Sequence, residues 1–211
     1  YALFDIGGGT VDGAAVYFSR TDGLPSVNFL TAEVDPLGIE IVANQLVHAG
    51  VEATQESARS RLLRPHDQFY PATRGLKLSL QKHTAKVIVP VKKKLPTVWS
   101  SAKELPVVVC GGGQSSGWHR AGIRSTYTEF QHEQCSIPRY ALQDINPFGG
   151  EFSGIPQDQL HRYLIAIGLS IPQGYGPEIV GFPSTNPEIL HNVARCEQPD
   201  LDDIQREMYG D

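Results

Sequence analysis

The sequence predicts an α/β protein, a mixed sheet with flanking helices and an inserted smaller α+β subdomain. Three observations predict it. Two apolar, strand-like runs, residues 1–6 and 105–110, each lead into three consecutive glycines, Gly7-Gly8-Gly9 and Gly111-Gly112-Gly113. The run 105–110 (LPVVVC) is wholly apolar, as parallel strands covered on both faces are, and a helix-compatible stretch follows its glycines near 118–127. Between these runs, residues 39–49 (IEIVANQLVHA) repeat apolar side chains at Ile39, Val42, Ala43, Leu46 and Val47, the spacing of an amphipathic helix.

The first element, residues 1–20, reads as two β-strands joined through Gly7-Gly8-Gly9 and Thr10, with Asp5 before the turn and Asp12 after it. Three glycines imply a turn with backbone angles closed to other residues. A turn without side chains also lets backbone N–H groups approach a ligand, and such clusters suit phosphate oxygens. Asp5 would bring a carboxylate to that turn. Carboxylates beside phosphates hold Mg²⁺, often through its waters, because Mg²⁺ keeps much of its hydration shell. A plain glycine-rich turn is the competing reading. Asp12 is expected to brace the hairpin rather than to meet ligand.

Residues 21–25 (TDGLP) read as a turn and 27–34 (VNFLTAEV) as a third strand. Gly50 suits the stop of the helix at 39–49. Residues 51–70 are polar and suit exposed helix interrupted at Pro65; Pro71 can open the next helix, 72–81. Residues 84–91 (TAKVIVPV) read as an edge strand because of Pro90. The segment 51–104 thus reads as an inserted subdomain between 1–50 and 105–171. Residues 131–154 read as irregular, and 157–169 (QDQLHRYLIAIGL) as a helix with Leu160, Tyr163, Leu164, Ile167 and Gly168 on one face. The remainder, 172–211, is an extension rich in Pro and Gly, then acidic, with one terminal helix from 201.

Composition narrows the function classes. With 211 residues the chain can bury a substantial core. Its 40% hydrophobic and 19% charged content is ordinary for a globular protein. A net charge of −5 argues against a nucleic-acid surface built on bulk charge, and Lys92-Lys93-Lys94 reads as a solvated turn. No run approaches the roughly 18–20 apolar residues of a membrane span. Three widely spaced cysteines (Cys110, Cys135, Cys196) read as reduced thiols, which points to the cytoplasm. Seven histidines form no metal-ligand spacing. Because residues 1–4 are already strand-like, the chain is expected to be part of a longer protein.

With both glycine clusters placed, the arrangement resembles the actin-like ATPase superfamily, specifically the nucleotide-binding domain of DnaK-type heat-shock chaperones. DIGGGTVD at 5–12 looks like that family's second phosphate motif, and VDPLGIEIVANQLV at 34–47 like its strand, Leu-Gly-Gly turn and helix. VVVCGGGQS at 107–115 looks like its adenosine motif, and 157–169, with Ala166 and Gly168, like its closing helix. The resemblance covers the second, C-terminal lobe, so it implies a ribonuclease-H-like sheet and ATP held with Mg²⁺ in a cleft whose first lobe is missing. It implies Asp5 and Thr10 as catalytic candidates. Asp5 would hold the Mg²⁺ hydration shell or orient the attacking water, while the backbone of Gly7, Gly8, Gly9 and Thr10 would bind the β/γ phosphates. Gly111, Gly112, Gly113 and Ser115 would shape the adenine and ribose face. One lobe alone should hydrolyse almost nothing, since phosphoryl transfer depends on positioning from both sides.

The sequence departs from the family in places. The family's adenosine glycines are followed by a small polar residue and an Arg that stacks on adenine; here Gln114 to His119 intervene before Arg120. Trp118 is a stacking surface or, more simply, core. Arg74 and Lys77 do not match the family's ribose positions and read as a solvated face. Another nucleotide, or a ligand like those of sugar kinases, therefore stays open. Nothing after 170 resembles the chaperone's linker or peptide-binding sandwich. Three functions follow: one lobe of an ATPase, a nucleotide-dependent scaffold or switch that contacts a protein partner, and a protein-interaction module that binds no nucleotide.

Overall fold

The computed structural model describes residues 1–21, 23–66, 70–96, 104–129, 140–144 and 178–180. Its six strands are β1 (Ala2–Ile6), β2 (Val11–Thr21), β3 (Leu24–Asp35), β4 (Leu105–Cys110), β5 (Tyr140–Asp144) and β6 (Glu178–Val180). They form one sheet in the order β5-β4-β1-β2-β3-β6. Only β2 runs against the others: it is antiparallel to β1 and β3, while β1–β4, β4–β5 and β3–β6 are parallel pairs. Among the described residues four α-helices accompany the sheet: α1 (Ile39–His48), α2 (Gln55–Leu62), α3 (Arg74–Lys94) and α4 (Gly117–Glu129). This is the mixed α/β fold the sequence predicts, with the ribonuclease-H-like order β3-β2-β1-β4-β5 at its centre.

Period-two burial makes β1 the middle of the core. Ala2, Phe4 and Ile6 are fully buried, while Leu3 and Asp5 stand on the opposite face. α1 buries Ile39, Val42, Ala43 and Leu46, the stripe its spacing predicts. Gly50 stops it in the left-handed region at φ +67°. α2 starts on Thr54, whose side chain accepts the Ser57 N–H at 3.2 Å, and ends before Pro65. Its Ala58 and Leu62, and α3's Leu80, Val87, Ile88 and Val91, join the same core as β1.

Residues 84–91 are not a strand. α3 continues through them to Lys94, with Pro90 inside the helix. Leu80, Thr84, Val87, Ile88 and Val91 are buried while Lys82 and Lys86 are exposed, which is a helical face and not an alternation. Burying three β-branched side chains is worth about 1.5–3 kcal/mol each, and an internal proline costs about 3 kcal/mol, so packing outweighs both Pro90 and the weak helix propensity of Val and Ile. The close approach of α3 to the sheet needs Gly13, where a Cβ would lie 2.5 Å from Val87 Cγ2 and 2.8 Å from His83 Nε2. His83 is buried there and its Nδ1–H donates to Asp35 Oδ2 at 2.7 Å, tying α3 to the end of β3.

Two further expectations change. Residues 140–144, read as irregular, form β5 alongside β4; Tyr140 is buried and its hydroxyl donates to the Ile123 carbonyl. A short parallel edge strand needs only a neighbour to pair with, and leaves little periodicity in the sequence. β3 starts at Leu24 rather than 27, because Gly23 at φ +82° permits a tight turn and pairing runs from Thr21–Leu24 onward. The helices expected at 157–169 and from 201, most of the extension 172–211, Cys135 and Cys196 lie outside the described residues. Among the described residues no helix is long and apolar enough to cross a membrane.

Candidate functional site

Both glycine clusters meet at the carboxyl ends of β1 and β4, where open α/β sheets receive ligands. The Gly113 N–H donates to the Ile6 carbonyl at 2.8 Å, joining the second loop to the last residue before the first turn. A Cβ on Gly111 would fall 2.0 Å from Asp5 Oδ1, so the Asp5 carboxylate lies directly against the second loop. Asp5, the Gly7–Thr10 turn and the Gly111–Gly113 loop, expected from separate motifs, are one place in the fold.

The first turn is built by α1. That helix has no capping side chain at Gly38. Its leading N–H groups are satisfied by the turn instead: Gly38 N donates to Gly9 O (3.1 Å), Ile39 N to Gly7 O (3.1 Å) and Glu40 N to Gly8 O (2.8 Å). In a trans peptide the carbonyl of one residue and the N–H of the next point in opposite directions. Three successive carbonyls turned toward α1 therefore turn the N–H groups of Gly8, Gly9 and Thr10 away from it. All three residues are exposed, and among the described residues these N–H groups have no backbone acceptor. The positive end of the α1 dipole lies behind them.

Of the two purposes expected for the glycines of this turn, special backbone angles and room for N–H groups to approach a ligand, the first does not apply. None has a positive φ; among the described residues only Gly23, Gly50 and Gly111 do. A Cβ on Gly9 would meet nothing within 4 Å, and one on Gly8 only Glu40 Cγ at 3.6 Å. Neither backbone angle nor packing asks for glycine at 8 or 9. Open room over exposed N–H groups is what the two residues provide.

In the second loop the roles divide. Gly111 is required twice, by φ +82° and by Asp5. Gly113 is buried, and a Cβ there would be 2.4 Å from Ile6 Cγ2. Gly112 and Ser115 are exposed, and their N–H groups have no backbone acceptor among the described residues. The start of α4 is occupied: Gly117 N donates to Arg64 O at 2.9 Å, and Ser116 Oγ accepts from His119 N at 3.4 Å. The N-terminus of this helix is a closed cap and is not offered to a ligand. Trp118 is core, 1% exposed, its indole N–H donating to Thr73 Oγ1 at 2.9 Å. Arg74 is exposed on α3.

The sheet register brings Asp12 beside Asp5. Asp12 stands opposite Asp5 in the β1–β2 register, on the same face of the sheet, and is exposed. A four-residue turn between positions 6 and 11 makes 5 and 12 partners, so the sequence signal was available in the register. Burial first, and then the Asp12 charge, push the Asp5 carboxyl above the ordinary value. Burial, then Asp5 and Asp12, push the neighbouring Cys110 thiol up to about 12, leaving it protonated. The pair is an electronegative notch beside three exposed N–H groups. Among the described residues no three His, Cys, Asp or Glu gather as a metal cage. Mg²⁺ uses one or two carboxylates when phosphates and waters complete its octahedron.

One buried histidine joins the two loops. His119 Nε2–H donates to Leu37 O (2.8 Å) and its Nδ1 accepts from Ser116 Oγ (2.8 Å). Burial lowers its pKa from 6.5 to about 4, only partly opposed by the Leu37 hydrogen bond. As pH falls below 6.5 the unfolded chain takes up this proton and the folded chain does not. Stability is therefore full above about pH 6.5 and declines toward pH 4, by a total on the order of 3 kcal/mol. Urea midpoints across that range should show the decline, and His119→Gln should flatten it. An equal slope in the variant would refute the assignment.

No family model and no curated protein matches the chain. Solved structures similar to it include the ethanolamine utilization protein EutJ from Carboxydothermus hydrogenoformans, at 19% identity and a TM-score of 0.35, over 67% of this chain and 42% of that one. A chain of the PilM–PilN type IV pilus biogenesis complex is similar at 13% identity and 0.42, over 80% and 44%. ParM of Bacillus thuringiensis with ATP is similar at 20% and 0.29, over 77% and 43%. The chain spans less than half the length of each of these solved chains. The likeness is one of fold alone, and the ribonuclease-H-like assignment rests on the strand order above.

Proposed function

We propose that this chain supplies one lobe of a Mg·ATP site in an actin-like ATPase. The observation that carries the reading is the Gly7–Thr10 turn, in which the carbonyls of Gly7, Gly8 and Gly9 are committed to α1 and the N–H groups of Gly8, Gly9 and Thr10 are turned away from it. Those N–H groups, backed by the helix dipole, suit the β and γ phosphates. Asp5, with Asp12 opposite, suits Mg²⁺; the bound ion would neutralise phosphate charge, and Asp5 would hold its waters. Exposed Gly112 and Ser115 offer N–H groups to the sugar and base side. The finer reading, a C-terminal lobe of DnaK type with adenine as the base, rests on the sequence resemblance, with a first lobe supplied by the rest of the protein.

A switch with little turnover is the second reading, and a specific feature favours it. Because α1 hangs on the turn's carbonyls, any shift of the turn on binding phosphate moves the helix, and α2 with it through Glu40–Arg59 (2.6 Å). Calorimetric titration of Mg·ATP into the full-length protein tests binding for both readings. Dissociation constants of about micromolar are expected, and turnover then separates enzyme from switch. No heat at millimolar Mg·ATP would overturn both and leave an interaction module on this fold.

A further inference from the structure

We propose that His119 is a positioning residue, holding the outward-facing turn in place through the Leu37–Gly38 peptide. The inference deepens the nucleotide reading and rests on it for its functional consequence. The peptide concerned is bonded at both ends. Its carbonyl, Leu37 O, accepts from His119 Nε2–H at 2.8 Å, and its N–H, Gly38 N, donates to Gly9 O at 3.1 Å. The peptide that includes the Gly9 carbonyl also carries the Thr10 N–H, so the imidazole lies two hydrogen bonds from a group offered to phosphate.

The same ring reaches the second loop. Ser116 Oγ–H donates to His119 Nδ1 at 2.8 Å, Ser116 N donates to Gly113 O at 2.9 Å, and Gly113 N donates to Ile6 O at 2.8 Å, one residue before the first turn. The hydrogen bonds close a circuit through both glycine loops, and His119 is its one side-chain ring. Chains of this kind polarise their members, so a hydrogen bond to Leu37 O makes Gly38 N–H a better donor. The site is dry: His119 and Ser116 are fully buried, Leu37 nearly so. Trp118 packs edge-on to the imidazole at 4.7 Å and limits its rotation. A neutral ring with Nε2 protonated satisfies every partner, accepting from serine and donating to the carbonyl. No other side chain does both at those two positions.

The geometry separates three variants. His119→Gln can place its amide nitrogen near the Nε2 position and keep the Leu37 bond. His119→Asn is too short for it and reproduces only the Nδ1 side. Ser116→Ala removes the hydroxyl that fixes the tautomer, with little change in volume. In the full-length protein without nucleotide, His119→Asn should speed hydrogen exchange at Gly38, Ile39 and Glu40 about tenfold relative to core amides of β1, and Ser116→Ala by less. His119→Gln should stay within about twofold of wild type. The Kd for Mg·ATP should follow the same order, about tenfold weaker for His119→Asn, the effect of roughly one hydrogen bond.

Exchange at Gly38–Glu40 unchanged in His119→Asn, or faster only in step with every core amide, overturns the proposal. If His119→Asn does not fold, unchanged exchange in Ser116→Ala overturns it. Selective loss of protection in a protein that shows no Mg·ATP binding in any form would uphold the coupling while refuting the nucleotide reading.

Discussion

Asp5→Asn in the full-length protein is expected to lower Mg·ATP turnover on the order of 100-fold while leaving the fold as stable as before, or more so. The two effects have separate causes. On the proposed reading turnover depends on a charge that holds Mg²⁺ and its waters where phosphate charge develops, and removing one such group costs roughly two to three orders of magnitude. Stability moves the other way because the carboxylate is unfavourable in the free protein. Its pKa is raised by burial and by Asp12, so the folded state holds this charge less easily than the unfolded chain does. An isosteric neutral amide removes that penalty and still fits against Gly111. Asp12→Asn should lower the Asp5 pKa and weaken Mg²⁺ binding, with a smaller loss of turnover because Asp12 is the more exposed of the pair. Steady-state kinetics beside a urea titration checks both arms. Lower stability together with unchanged turnover would make Asp5 a structural residue.

Gly38→Ala and Gly9→Ala should part company in the opposite sense. At Gly38 a Cβ would lie 2.4 Å from Gly8 O and 2.6 Å from the carbonyl carbons of Gly8 and Gly9. Those atoms are backbone, held by the α1 hydrogen bonds, and can step aside only by giving those bonds up. The backbone angle, φ −69°, is open to alanine, so the cost is contact alone. A loss of about 3 kcal/mol or more is expected, at the upper end for overpacking, with the turn displaced and Mg·ATP binding gone. At Gly9 a Cβ meets nothing within 4 Å. Gly9→Ala should change stability by no more than about 0.5 kcal/mol, yet weaken Mg·ATP about tenfold or more because its methyl group stands where phosphate would approach. Denaturation midpoints and calorimetry on the same two variants decide the matter. A destabilised Gly9→Ala with normal affinity would mean that this turn exists for the fold.

Much of this was legible in the residues. The spacing Ile39, Val42, Ala43, Leu46 was enough for α1, and LPVVVC for β4, because each element's burial is decided by its own period. The stretch 84–91 misled because its β-branched run fits a strand locally. Only the sheet and α4 lying alongside show that Leu80, Thr84, Val87, Ile88 and Val91 share a buried face. β5 escaped notice for a related reason, since a five-residue edge strand is specified by its partner β4 rather than by its own pattern.

The sequence by itself determined that two strands end in glycine clusters, that Asp5 precedes the first, and that α1 follows β3 closely. Local periodicity and short-range chain connectivity suffice for those statements. Tertiary structure alone decided what the glycines are for. Gly38, Gly111 and Gly113 are small because backbone or core atoms from distant segments occupy the space, whereas Gly8 and Gly9 are small with that space open. It also decided the direction of the turn's N–H groups, since a helix N-terminus 30 residues away takes up the carbonyls, and it brought His119 to Leu37 across 82 residues. Hydrogen-bond direction and close approach are pairwise properties, and a chain read one residue at a time carries no record of the partner.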